Sequence, residues 1–107
     1  MDKAVQSELE TLKEIIINTV PVEQILLFGS HAYGTPHKDS DLDLYVVLKD
    51  DAETKELDAA VKILGAIGHV KTKSIDIITN KKSKYLKLTT GPTIERKIAR
   101  EGITIYG

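Results

Sequence analysis

Hydrophobic positions recur along this chain with two alternating periods. Val5, Leu9, Leu12 and Ile16 follow one another at spacings of four, three and four, so Lys3 to about Thr19 is predicted to form an amphipathic helix that stops before Pro21. Gln24-Ile25-Leu26-Leu27-Phe28 is a short apolar run ended by Gly29, the pattern of a buried strand leading into a tight turn. Ser30 to Asp39 carries Gly34, Pro36, two histidines and small polar residues, which suits one helical turn and a loop. Leu42 to Leu48 is predicted as a second strand. Asp51 is placed to cap a helix from Ala52 to about Ile67 whose face is formed by Leu57, Ala60, Val61 and Leu64, with Gly65 and Gly68 loosening its end.

A third strand is expected at about Lys73 to Thr79, followed by weakly helical Lys81 to Leu88. Gly91-Pro92 then opens another helix with proline in its first turn, Gly102 closes it as a left-handed cap, and Ile103-Thr104-Ile105-Tyr106 is a short last strand. Helices alternating with short strands give an α/β architecture: a small mixed β-sheet covered by helices. No repeat, low-complexity tract or linker divides the chain, and 107 residues are expected to form a single domain over 1–107.

The longest apolar run falls far short of the roughly 18 residues a membrane span needs, and Met1-Asp2-Lys3 leads into a charged segment without a signal-like stretch. A cytoplasmic protein with no membrane partner is expected. The absence of cysteine removes disulfide scaffolds, thiolate metal sites and thiol nucleophiles, so any metal must sit on oxygen or imidazole. The net charge of −1 hides an asymmetry. Residues 1–60 carry 13 acids against 5 Lys, whereas residues 61–107 carry 3 acids against 10 Lys and Arg. Such a division fits a site in which one part holds cations and another receives an anion, and equally fits two solvated faces.

Candidate chemistry lies in three acids and one turn. Asp41 and Asp43 stand two residues apart at the mouth of a strand, so their carboxylates point to one side while Leu42 and Leu44 point to the other. Two like charges so close are costly unless a cation sits between them, and hard oxygen ligands favour magnesium or manganese. Asp76 lies between Ile75 and Ile77-Ile78, where an ionised carboxylate would be disfavoured by desolvation; it either joins the Asp41–Asp43 pair or sits at a solvated strand edge. Gly29-Ser30, after the first strand, offers free backbone N–H groups and a hydroxyl, a phosphate cradle or a plain helix cap.

Other motifs fail on the letters. Gly29 to Gly34 has the spacing of a P-loop start, yet Thr35-Pro36 follows where Lys and Ser/Thr are required. Asp39, Asp41, Asp43 and Asp50 mimic a calcium loop, but Leu44 occupies the position of its sharp-turn glycine.

In combination, Phe28-Gly29-Ser30, Gly34, Ser40-Asp41-Leu42-Asp43-Leu44, Ile75-Asp76-Ile77 and the closing Ile98 to Tyr106 segment resemble the polymerase-β-like nucleotidyltransferase superfamily, in particular its minimal branch. The resemblance implies that Gly29 and Ser30 hold the triphosphate of ATP. It also implies that Asp41 and Asp43 ligate two magnesium ions, and that Asp76 is a third metal-binding and catalytic carboxylate near the acceptor hydroxyl. Family members often carry Arg after the Gly-Ser pair; here His31 stands there.

Stand-alone cores of this kind resemble antitoxin partners of HEPN-domain RNase toxins, which transfer AMP from ATP to a toxin tyrosine. The chain length leaves little room for an acceptor-recognition region, so the acceptor is expected to come from such a partner. The alternatives are a non-catalytic toxin-binding module, and a nucleotidyltransferase acting on a small-molecule or RNA hydroxyl, with a homo-oligomer supplying the missing wall. Lys71, Lys73, Lys81, Lys82, Lys84 and Lys87 would attract polyphosphate or an acidic partner, or form a solvated face. No aromatic interleaving accompanies them, which argues against direct nucleic-acid binding. His37 and His69 lack ligand-like spacing and are expected at the surface, and Tyr33 has no role the sequence can assign.

Overall fold

The computed structural model describes residues 2–36 and 41–107. His37, Asp39 and Ser40, all singled out in the sequence, lie outside the described residues. The elements run α1 (Lys3–Thr19), β1 (Val22–Phe28), α2 (Ser30–Tyr33), β2 (Leu42–Leu48), α3 (Glu56–Ile67), β3 (Ile75–Lys81), α4 (Lys82–Leu88), α5 (Ile94–Glu101) and β4 (Ile103–Tyr106). The strands form one sheet in the order β3-β2-β1-β4, with β1 antiparallel to β2 and β4, and β2 parallel to β3. This is the mixed sheet covered by helices that the alternating periods predict.

Central strands β1 and β2 have both faces covered, which explains their nearly continuous apolar runs. On one side Ile25 and Leu27 of β1, with Leu42, Leu44, Val46 and Leu48 of β2, pack against Val5, Leu9, Leu12 and Ile16 of α1 and Ala59, Ile63 and Ile67 of α3. On the other, Leu26, Phe28, Tyr45 and Val47 pack with Tyr85 of α4 and Ile98 of α5. α1 starts where the Asp2 carboxylate accepts a 2.7 Å hydrogen bond from the Ala4 N–H, satisfying one of the free donors of the first turn.

The second face contains a polar cluster. Tyr45 is fully buried, and its hydroxyl donates to Glu95 Oε2 at 2.9 Å while accepting from Asn80 Nδ2 at 2.7 Å. Burial pushes the Tyr45 phenol well above its ordinary value, with the Asn80 bond opposing that rise and the Glu95 carboxylate adding to it. Its ring lies tilted against Tyr85 with centroids 5.1 Å apart. Tyr45→Phe removes the donor to a buried carboxylate and is expected to cost about 1–3 kcal/mol, read as a lower urea midpoint with an unchanged slope.

Several expectations are corrected. α3 begins at Glu56, four residues after Ala52, with Lys55 rather than Asp51 at its cap and no side-chain capping bond. Its packed face is Ala59, Ile63 and Ile67; Leu57, Val61 and Leu64 are exposed. α5 begins at Ile94 behind Thr93, whose side chain accepts from the Arg96 N–H at 3.2 Å, so Pro92 precedes the helix instead of opening it. Gly102 is extended, at φ −68° and ψ 162°, and is not a left-handed cap. What demands glycine there is crowding: a Cβ would lie 2.6 Å from the Ile98 carbonyl oxygen and 3.1 Å from that of Leu27. β1 starts at Val22, ahead of the expected Gln24, and β3 is shifted to Ile75–Lys81.

Candidate active site

β1 delivers the chain into a turn that only glycine can make. Gly29 has φ 76° and ψ −162°, and its carbonyl accepts from the N–H groups of Ala32 and Tyr33, both at 3.0 Å, winding the short α2. Gly34 closes α2 in the left-handed conformation. β2 pairs antiparallel with β1 so that Phe28 stands opposite Asp43, which brings the Asp43 carboxylate against the Gly29 backbone. A Cβ at Gly29 would overlap Asp43 Oδ2 and lie 3.0 Å from its Cγ. The glycine therefore serves both the backbone conformation and the close approach of a carboxylate.

Asp43 and Asp76 are direct partners in the parallel β2–β3 ladder. Their carboxyls meet. Partial burial raises the Asp43 carboxyl above its ordinary value of 3.8, the charge and hydrogen bonding of Asp76 and the charge of Asp41 raise it further, and His31 opposes the rise. Asp41 lies exposed just before β2, and Leu42 and Leu44 are buried on the opposite face, as strand alternation requires. Asp76 is exposed on an edge strand, so the desolvation expected from its isoleucine neighbours does not arise. Ser30 is half-buried at the first position of α2.

Carboxylate oxygens converging from two strands fit a hard divalent cation, because the repulsion they impose on one another is what such an ion relieves. Among the described residues no group of three or more His, Cys, Asp and Glu side chains is already arranged to hold a metal ion. The convergence is between Asp43 and Asp76, with Asp41 close enough to act on Asp43 through its charge.

Tyr33 of α2 feels the charge of Asp43, and Lys97 reaches the Tyr33 ring. Tyr33 packs from α2 toward Phe28 and Tyr45; burial raises its phenol, a hydrogen bond from the Gly29 backbone opposes this, and the charges of Glu101 and Asp43 add to the rise. Lys97 of α5 places its Nζ 4.6 Å from the centroid of the Tyr33 ring. No local pattern announces this contact, since the two residues belong to elements distant in sequence. Lys82, from the basic segment, is ion-paired with Glu23 at 3.0 Å, and His69 is exposed as expected.

Comparison with known proteins bears on the fold and the family. Residues 9–104 match the family model of the nucleotidyltransferase domain. No curated protein sequence matches the chain. Among solved structures, one described as a candidate minimal nucleotidyltransferase superposes with a TM-score of 0.61 at 24% identity, over 96% of this chain and 95% of that one. A nucleotidyltransferase candidate from Sulfolobus solfataricus gives 0.54 at 18% identity, over 97% and 86%. A toxin–antitoxin with AMP-PNP gives 0.52 at 22% identity, over 94% and 73%. At these identities the solved structures speak for the fold, while the family model spans nearly the whole sequence; the chain belongs to the nucleotidyltransferase domain family.

Proposed function

We propose that this protein is a magnesium-dependent adenylyltransferase that acts as an antitoxin, transferring AMP from ATP to a tyrosine hydroxyl of a HEPN-domain RNase toxin. The observation that carries the reading is the level pairing of Asp43 with Asp76 beside the Gly29 turn. The family supplies the reaction class, and a solved structure of the same fold, a toxin–antitoxin with AMP-PNP, supports both the kind of partner and the adenine nucleotide.

In this reading Asp41, Asp43 and Asp76 would hold magnesium, which would supply neutralisation of the charge developing on the transferred phosphorus and the departing pyrophosphate. Gly29 and Ser30 receive the triphosphate with backbone N–H groups and a hydroxyl. The acceptor oxygen attacks the α-phosphorus, its bond to the pyrophosphate oxygen breaks, and the acceptor proton passes to Asp76, whose exposure leaves it open to an incoming hydroxyl. Tyr33 stands close enough to the centre to feel the charge of Asp43, and Lys97 touches its ring through the cation–π contact; neither takes a step in the reaction.

The test is to incubate the protein with α-labelled ATP, magnesium and the partner that co-purifies with it from cells. Label on a tyrosine of the partner, with a mass increase of whole AMP units, is the expected result. No label on the partner, or label found on a small metabolite or RNA instead, overturns the assignment.

A further inference from the structure

We infer that the outward face of α3 is a self-association surface, on which α3 of a second copy of this chain lies antiparallel. Leu57, Val61 and Leu64 are 76%, 63% and 42% exposed, on the side of the helix turned away from the buried Ala59, Ile63 and Ile67. Their spacing of four and three is that of a helix–helix seam. A contiguous apolar strip of this kind marks an interaction surface more often than scattered single residues do.

The glycines of this helix provide a second observation. Gly65 lies inside α3, where glycine is about 1 kcal/mol less favourable than alanine, yet a Cβ there would meet nothing within 4 Å. Nothing among the described residues requires it. Gly65 continues the line Leu57–Val61–Gly65 at intervals of about one helical turn, so the strip runs on into a position that presents no side chain.

The second copy is favoured over a different partner because the face is complementary to its own image. Rotation about a two-fold axis between Ala60 and Val61 sets Leu57 of the second copy level with Leu64, and the two copies of Val61 next to one another. The same rotation places exposed Asp58 within one residue's rise of exposed Lys62 of the second copy, twice over by symmetry. α3 covers the sheet face opposite the one that carries Asp43, so this association leaves the carboxylate centre open.

One short helix face puts the contact at the small end of specific interfaces, so half-dimerisation is expected on the order of 10–100 µM. Sedimentation equilibrium of the full chain over about 1–500 µM tests this. The mass should rise from one chain to two. Val61→Asp should remain monomeric at every concentration while keeping the parent's circular dichroism and melting temperature. Lys62→Asp should weaken association about tenfold through like-charge contacts, and Asp58→Lys combined with Lys62→Asp should restore it. A monomer throughout the range, a dimer that survives Val61→Asp, or a charge swap that fails to restore association overturns the inference. So does a monomer whose α3 face is protected from hydrogen exchange only by a different protein.

Discussion

Asp43→Asn is expected to reduce the proposed AMP transfer by roughly a thousandfold, the scale of losing a charge-stabilising group at a phosphoryl centre, while leaving the fold intact or slightly more stable. Both outcomes come from one arrangement. The carboxyl is raised by partial burial, by its ladder partner Asp76 and by Asp41, so its ionisation is disfavoured in the folded protein relative to the unfolded chain. A carboxyl raised on folding contributes relative stability at acid pH, and that contribution is lost as pH climbs from its ordinary 3.8 through the folded value. Asparagine has no charge to lose. The variant should therefore melt at the same temperature as the parent below about pH 3.5, and at an equal or higher one at neutral pH, where the parent carries the repulsion. Thermal melts across pH, paired with the labelling assay, separate the two effects. A variant that loses activity and also melts lower at neutral pH would show that Asp43 is a structural group and not a strained one.

Gly29→Ala should be strongly damaging, costing roughly 2–5 kcal/mol, or about 10–25 °C in melting temperature. Two separable costs combine. A residue with a Cβ is strained at φ 76° and ψ −162°, a region reserved for glycine. Its methyl group would also enter the space of the Asp43 carboxylate, with Cγ 3.0 Å away and Cβ 3.3 Å away. Combining Gly29→Ala with Asp43→Ala removes the carboxylate and leaves only the conformational strain, so the double variant should be more stable than the sum of its single changes by about 1–2 kcal/mol. Additive costs in that cycle would mean that the turn and the strand do not touch. Activity should vanish in the single variant even under conditions where it remains folded, because displacing Asp43 disturbs its level pairing with Asp76.

The strands and the placement of their acids were legible because period-two alternation leaves little freedom: once Leu42 and Leu44 face the core, Asp43 must face the other way. The level pairing of Asp43 with Asp76 was not, since strand order and register depend on a crossover that no local pattern encodes. α3 shows where periodicity fails. Leu57, Val61 and Leu64 form one apolar stripe and Ala59, Ile63 and Ile67 another, and sequence alone favours the bulkier stripe as core although the sheet buries the other. Glu95 and Asn80 were equally silent; each reads as surface polar until Tyr45 is seen between them. Gly102 was correctly marked as a special position for the wrong physical reason, since its constraint comes from two carbonyl oxygens of separate elements.

β2 and β3 run parallel and in step from Leu42↔Ile75 to Leu48↔Lys81. The gap between the two facing acids is thus measured by peptide hydrogen bonds, which hold neighbouring strands about 4.8 Å apart whatever fills the hydrophobic layers above and below. Tolerance to mutation should accordingly be lopsided. Swaps among buried aliphatic side chains loosen the molecule yet keep its ruler, whereas a single-residue slip between these two strands would turn Asp76 to the wrong side in one discrete step, with no graded decline in between.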